Sequence, residues 1–401
     1  MISSPTNKPS VIVAGAGIGG IATALTLARQ GIAVTVLEQS AELGEIGAGL
    51  QLAPNAFAAL DALGVGEAVR ARAVFTERLV MMDAVDCSEV GSFEVGQAFR
   101  ERFGNPYAVI HRADIHTAIL EHVHRTPHIE LVTSCHIDAI EQDDKGVTAI
   151  ARDGRRFRAD YLIGCDGIKS VAREVVVGDP VRVSGHVVYR AVVPAAEMPE
   201  ALRWNAPVLW AGPNCHLVHY PLRSGDQYNL VVTFHSREPE VWDVRDGSKE
   251  EVLSYFTGIA ELPRQLLHCP SSWRRWSTAD RNPVENWTKG RVTLLGDAAH
   301  PTLQYLAQGA CMALEDAVTL GEAVRHCGFD MEAAFALYQK SRIARTARVV
   351  LSAREMGRLY HAHGVERLVR NDLWKGREQK GFYDALQWLY GWNAADCLAH
   401  N

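Results

Sequence analysis

The run Gly15-Ala16-Gly17-Ile18-Gly19-Gly20 has the spacing G-x-G-x-x-G, and each spaced glycine meets a steric demand of dinucleotide binding. Gly15 permits a tight turn out of a strand, Gly17 removes the Cβ that would strike a pyrophosphate, and Gly20 lets helix and strand approach closely. The helix that follows offers unpaired N–H groups to the diphosphate. Glu38 ends the next strand, where a carboxylate accepts both hydroxyls of an adenosine ribose and repels a 2′-phosphate. Together these residues specify a dinucleotide site without choosing between FAD and NAD.

The flanking pattern supplies the elements that must hold this turn. Val11 to Ala14 read as a strand buried on both faces, Ile21, Leu25 and Ala28 recur on one helical face, Gly31 stops the helix, and 33–38 form the next strand. This is a βαβ unit. A glycine-bearing loop over 41–53 leads to a helix reaching about residue 63, and His111-Arg112 open another that runs to about 124. Residues 130–165 read as short strands around an Asp153-Gly154 turn. From 185 to about 276 the texture changes: 187–193, 208–210, 216–220 and 228–235 predict an antiparallel sheet that lines a cavity, with a helix near 248–258. A buried strand returns at 291–300, and helices are predicted over 309–326, 332–359 and 363–373. Arg342, Arg345 and Arg348 read as a solvated helix face.

Composition bounds the function. The chain has 401 residues, 47% of them apolar and 22% charged, with a mean hydropathy of -0.07. Those values suit a soluble globular protein of two packed domains. A net charge of -6 gives no field for nucleic acid. The eight cysteines are dispersed, as in reduced cytoplasmic chains. No secretory leader is evident, and residues 11–25 read as strand and helix rather than a membrane span. No histidine and cysteine grouping has zinc spacing, so no metal is expected.

Two further stretches carry a resemblance. Cys165-Asp166-Gly167-Ile168-Lys169-Ser170-Val171-Ala172-Arg173 and Gly296-Asp297-Ala298-Ala299-His300-Pro301 resemble motifs of the flavoprotein aromatic hydroxylases, the family typified by para-hydroxybenzoate hydroxylase. Residues 212–223, 285–287, 301–309 and 388–392 are similar to the branch that hydroxylates 3-hydroxybenzoate to gentisate. The resemblance implies an α/β fold in which a Rossmann-like FAD-binding domain (1–75, 106–180 and 281–345) is interleaved with an antiparallel-sheet substrate domain (76–105 and 181–280), followed by C-terminal helices (346–401). It implies noncovalent FAD held by Gly15, Gly17, Gly20, Glu38, Arg112, Asp166 and Asp297, NADH as reductant, O₂ as co-substrate, a small phenolic acid as substrate, and a homodimer. It places His216 and Gln304 around the substrate hydroxyl and Tyr107 and Tyr220 in the substrate pocket. The arginine that binds the substrate carboxylate in the para-hydroxybenzoate branch has no evident counterpart.

Such a reaction needs flavin reduction, capture of O₂ as a C4a-hydroperoxide, and attack by an electron-rich ring. A free phenol has a pKa of about 10, so a base must take or share its proton. His216 has the ordinary titration range for that work, and Gln304 orients the hydroxyl without changing charge. His216 and His219 lie three apart on a strand, on opposite faces, so only one meets the ring. His300 serves either the flavin or packing. The residues leave open a decarboxylating salicylate 1-hydroxylase, a 6-hydroxynicotinate 3-monooxygenase, a flavin dehydrogenase, and a silent FAD-binding sensor or interaction protein.

Overall fold

Val11, Ile12, Val13 and Ala14 are all but inaccessible to solvent because the strand they form, β1 (Ser10–Ala14), lies between two parallel neighbours, with a helix packed on one face and a strand of a separate small sheet against the other. A computed structural model of the chain describes residues 8–44 and 48–398. Residues 1–7, the middle of the glycine-bearing loop (45–47) and residues 399–401 lie outside the described residues. The six-stranded nucleotide sheet runs β19 (Thr288–Lys289), β20 (Val292–Leu294), β12 (Tyr161–Gly164), β1, β2 (Ala33–Leu37), β8 (Ile129–Val132). Its strands come from three separated stretches of chain, which makes the fold interleaved. Against it packs α1 (Ile18–Ala28), which is flanked in turn by α5 (Arg112–Val123) and α9 (Gly309–His326). A three-stranded meander joins β9 (Ile137–Asp143), β10 (Gly146–Ala151) and β11 (Arg156–Ala159).

The second domain is built on an eight-stranded sheet. Its order is β17 (Val244–Gly247), β18 (Trp273–Asp280), β13 (Arg182–Pro194), β16 (Gln227–His235), β15 (Cys215–Leu222), β14 (Val208–Gly212), β5 (Arg78–Asp83), β6 (Glu89–Glu94). It is not wholly antiparallel: β14 runs parallel to β5. The long excursion through the nucleotide domain between those strands serves as the crossover that a parallel pair requires. A small sheet of β3 (Gly49–Leu52), β7 (Ala108–His111) and β4 (Val74–Phe75) lies between the domains in sequence. The short helices are α2 (Pro54–Ala62), α3 (Gly66–Arg70), α4 (Gln97–Phe103), α6 (Val171–Val176), α7 (Lys249–Tyr255) and α8 (Glu261–Gln265).

Helix α9 spans the expected residues, and α10 (Met331–Tyr360) and α11 (Gly364–Trp374) match their expected ranges within a residue or two. An unanticipated α12 (Gln379–Tyr390) packs Tyr383 and Tyr390 against Phe99 and Phe103. The reading of Arg342, Arg345 and Arg348 as a solvated face is corrected. Arg348 is exposed, but Arg342 is fully buried, and Arg345 is nearly so because both find acidic partners on α9. Among the described residues no helix is long and apolar enough to cross a membrane.

The glycine turn shows why its residue types are required. Gly15 has φ 99, and a Cβ there would lie 2.5 Å from the Cys165 carbonyl oxygen. A Cβ on Gly20 would run into the carbonyl oxygen of Gly15, which is backbone and cannot swing aside. Gly20→Ala should therefore cost about 1–3 kcal/mol of stability and lower FAD retention. Thermal unfolding and flavin absorbance check this, and wild-type behaviour in both contradicts it.

Candidate active site

One cavity of about 1160 Å³ joins the glycine turn to the face of the large sheet. It exceeds the roughly 300–1,000 Å³ of an ordinary small-ligand pocket, as a site for a large cofactor beside a small substrate must. Gly17, Tyr107, Arg112, His216, Tyr220, Asp297 and Gln304 all line it. The other sequence-chosen residues lie behind the lining. Gly15 and Gly20 shape the turn, Glu38 accepts hydrogen bonds from the backbone N–H groups of Ala16 and Ser40, each at 2.8 Å, and Asp166 caps α6. The Asp166 carboxylate accepts from Ser170 Oγ at 2.5 Å, Val171 N at 2.7 Å and Ala172 N at 3.2 Å. Burial nonetheless pushes its pKa above the ordinary value.

The cavity suits a dinucleotide. Gly17 caps α1 with no side-chain hydrogen bond, and no acidic residue occupies the helix's first turn. Among the described residues no side chain caps the N–H groups and partial positive charge of that helix end. Helix α9 repeats the arrangement: its N-cap Gln308 makes no side-chain capping bond, its first turn carries no acid, and Gly309 and Ala310 line the cavity. Two open helix ends, with Arg112 at the start of α5, fit a diphosphate and the anionic edge of a reduced flavin.

The substrate side is a sheet face. Alternation along β15 turns His216, Val218 and Tyr220 toward the cavity. His219 points the other way and bonds the Leu202 carbonyl at 3.0 Å, the division of faces that the spacing predicts. In register beside them stand Thr233, Val231 and Asn229 of β16, then Val188, Arg190 and Val192 of β13. Gln304 Nε2 donates to Thr233 Oγ1 at 3.4 Å. Tyr107 donates to Gln51 Oε1 at 2.6 Å. Tyr220 fits only because Gly49 has no Cβ, which would lie 2.7 Å from the phenol oxygen.

The structure changes the account of His216. It is 2% exposed, and burial, reinforced by His186, lowers its pKa to about 3. It is a neutral imidazole at neutral pH, not a group poised near its ordinary titration range. Its Nδ1 is 2.8 Å from Nε2 of His361, the residue that closes α10. Sequence reasoning missed His361, because nothing local links it to β15. It also missed Arg190, which lines the cavity and lies over the Trp276 ring at 5.7 Å, with no carboxylate in ion-pair contact among the described residues. Its signal was a lone charge alternating with Val188 and Val192.

A buried ionic cluster fixes the lining. Asp316 accepts from Gly296 N at 3.0 Å and from His300 Nε2 at 2.5 Å. Arg342 pairs with Asp316 at 2.6 Å and Glu315 at 2.7 Å. Arg345 pairs with Glu315 and donates to the carbonyls of Trp388 and Leu389, each at 2.9 Å. Asn55 joins Glu315 to Gln308. Burial opposes the Asp316 charge, yet His300 and Arg342 hold its pKa down at about 2.

Removing one member strands the others. Arg342→Met should cost about 3–5 kcal/mol, the penalty of an uncompensated buried charge; a change within 1 kcal/mol (about a fivefold shift in the folding equilibrium) in urea unfolding contradicts this. A second prediction concerns acid. Burial holds His216 at about 3 and His186 at about 4, both below the ordinary 6.5, so as pH falls the unfolded chain takes up protons first. Stability should then be full above pH 6.5 and drop below it, with each such histidine contributing up to about 1.4 kcal/mol per pH unit. Urea midpoints at pH 7 and about pH 5 measure the slope, and a rise toward acid overturns the assignment of neutral rings.

Comparison with known proteins agrees with this geometry. Residues 8–351 match the family model described as "FAD binding domain". The chain is 62% identical over 399 residues to 3-hydroxybenzoate 6-hydroxylase of Polaromonas naphthalenivorans (strain CJ2), covering 100% of both chains. It is 64% identical over 387 residues to the protein of that name from Klebsiella oxytoca, covering 96% of this chain and 98% of that one. Among solved structures, Klebsiella pneumoniae HpxO complexed with FAD and uric acid superposes with a TM-score of 0.85 at 26% identity, over 95% of this chain and 97% of that one. The two open helix ends, the glycine turn and the full-length similarity thus converge on one conclusion: this chain belongs to the FAD-binding aromatic hydroxylases.

Proposed function

We propose that the chain hydroxylates 3-hydroxybenzoate para to its hydroxyl, using NADH and O₂, and releases 2,5-dihydroxybenzoate (gentisate). The observation that carries this reading is a buried, neutral imidazole in the same cavity as the open N-termini of α1 and α9. The high identity to 3-hydroxybenzoate 6-hydroxylases over the whole chain supports the choice of acid.

Bound FAD supplies the electron transfer and oxygen activation. The chain's residues do the rest. Gly15, Gly17 and Gly20 admit the diphosphate to the end of α1, and Glu38 holds the turn and takes the adenosine ribose. Asp297 and Arg112 hold the remainder of the cofactor, while Asp166 acts through the α6 end that it caps. His216 Nε2 accepts the phenolic proton, since its Nδ1 is occupied by His361; the phenolate so formed is the stronger ring nucleophile. Gln304, steadied by Thr233, orients the hydroxyl. Tyr107 and Tyr220 wall the ring in, and Arg190 takes the carboxylate at the opposite edge. Selectivity for the para carbon follows from holding the acid at both ends. A homodimer completes the reading, with exposed Val365, Leu368, Val369 and Leu373 of α11 as apolar surface for the contact.

NADH oxidation with chromatographic product analysis tests this. 3-Hydroxybenzoate should yield gentisate, and His216→Ala should lower its turnover by about 10²–10⁴-fold with FAD content unchanged. Preferred turnover of salicylate or 6-hydroxynicotinate overturns the substrate. No stimulation of NADH oxidation by any phenolic acid favours the silent FAD-binding protein.

A further inference from the structure

Asn229 is fully buried on β16, directly opposite Tyr220 of β15 in the antiparallel ladder, so the two side chains stand on one face, about 5 Å apart at Cβ. The oxygen and nitrogen of a buried primary amide have the same shape, and what each end meets sets the orientation. Here one end meets the backbone N–H of Gly49, 2.8 Å away. That group can only donate, so the amide oxygen faces it and the Nδ2 donor is turned elsewhere. Among the described residues Nδ2 has no partner of good hydrogen-bond geometry, and the group before it is the Tyr220 hydroxyl. That hydroxyl also lies against Gly49, where a Cβ would come within 2.7 Å of it. A buried donor is costly when left unmet, and the phenol oxygen is the acceptor on hand.

We propose that Asn229 is a positioning residue: by donating to the Tyr220 oxygen it turns the phenolic hydrogen into the cavity, where that hydrogen and Arg190 together bind the carboxylate of the substrate. The role rests on the reading of the cavity as the site of a hydroxylated aromatic acid. A tyrosine hydroxyl both donates and accepts, and its hydrogen rotates to suit its neighbours. Once its oxygen accepts from Nδ2, the hydrogen points away from Asn229 and from the Gly49 backbone. Among the described residues no protein acceptor takes it, whereas Tyr107 donates to Gln51 Oε1 at 2.6 Å. Tyr220 and Arg190 line the same cavity. Burial raises the Tyr220 pKa, with Arg190 and Asn229 opposing it, so at neutral pH the hydroxyl keeps the hydrogen that it presents.

The placement agrees with an acid substituted across the ring. His216 and Tyr220 lie four residues apart on one face of β15, roughly 13 Å along the strand. Val218 stands between them, and Arg190 lies two strands away beside Val231. A ring laid over Val218 and Val231 thus has a proton acceptor at one end and two hydrogen-bond donors, one of them charged, at the other. The first end suits a phenol and the second an anion. Were the Asn229 amide reversed, Tyr220 would donate to its oxygen and turn a lone pair to the cavity, repelling a carboxylate. Gly49 therefore acts twice: its N–H fixes the amide, and its missing side chain makes room for the ring whose hydroxyl the amide directs.

Binding of 3-hydroxybenzoate to oxidised, FAD-loaded enzyme, read from the perturbation of the flavin spectrum, tests this without turnover. Asn229→Leu should weaken that binding about threefold to tenfold, the effect of one oriented hydrogen bond. It should leave the binding of 3-methylphenol, which has no carboxylate, unchanged. Tyr220→Phe should weaken 3-hydroxybenzoate at least as much, and adding Asn229→Leu to it should weaken it no further, because the amide acts only through the hydroxyl. Losses that multiply in the double variant, or equal losses for both ligands, overturn the role of Asn229 and leave the substrate reading in place. If Asn229→Leu does not retain FAD, Asn229→Ala, which leaves room for water, decides by the same criterion. Wild-type enzyme that binds 3-methylphenol as tightly as 3-hydroxybenzoate, or binds neither, overturns the acid-site reading and the role of Asn229 with it.

Discussion

A base buried without a counterion stays uncharged, and the architecture around His216 follows from that constraint. Desolvation, not a neighbouring charge, dominates its environment. The same enclosure that makes the ring a weak proton store also keeps bulk water from the place where an activated oxygen would meet an aromatic ring. The sheet achieves it with alternation: valines on β13, β15 and β16 form the floor, and His216, Tyr220, Thr233, Asn229 and Arg190 interrupt it at chosen registers. Several of these interruptions have polar partners: Gln304 donates to Thr233, and Asn229 accepts from Gly49 N.

Around this dry floor the chain places its charges behind the lining. The Glu315, Asp316, Arg342 and Arg345 cluster is buried, and such clusters are costly unless every member is paired. Its partners explain its position. It reaches Gly296 and His300 beside the cofactor motif, Gln308 at the end of α9, and the last turn of α12, whose Trp388 and Tyr390 also line the cavity. Three walls of the site are therefore fastened to one pair of helices.

What could be read from the chain was what local sterics and periodicity dictate. The turn from Gly15 to Gly20, the strand before it and the helix after it were legible because each glycine answers a clash within a few residues. The opposite faces of His216 and His219 followed from the period of a strand, and α9 from its apolar repeat. Contacts between distant elements were not legible. Arg342 and Arg345 looked like solvated charges because their acids sit on another helix. The parallel pairing of β14 with β5, the link from His216 to His361, and the enclosure that moves His216 from its ordinary pKa all depend on chain returning from far away. Arg190 showed as a charge in an apolar strand, a signal that gains meaning only once the cavity beneath it is known.

The account stands on oxygen from O₂ entering an aromatic ring held against His216. Turnover of 3-hydroxybenzoate under isotopically labelled O₂, with mass spectrometry of the product, measures this most directly. The account requires one labelled oxygen in the new hydroxyl, para to the original. Product whose new oxygen comes from water, or NADH consumed with no labelled aromatic product, would contradict it.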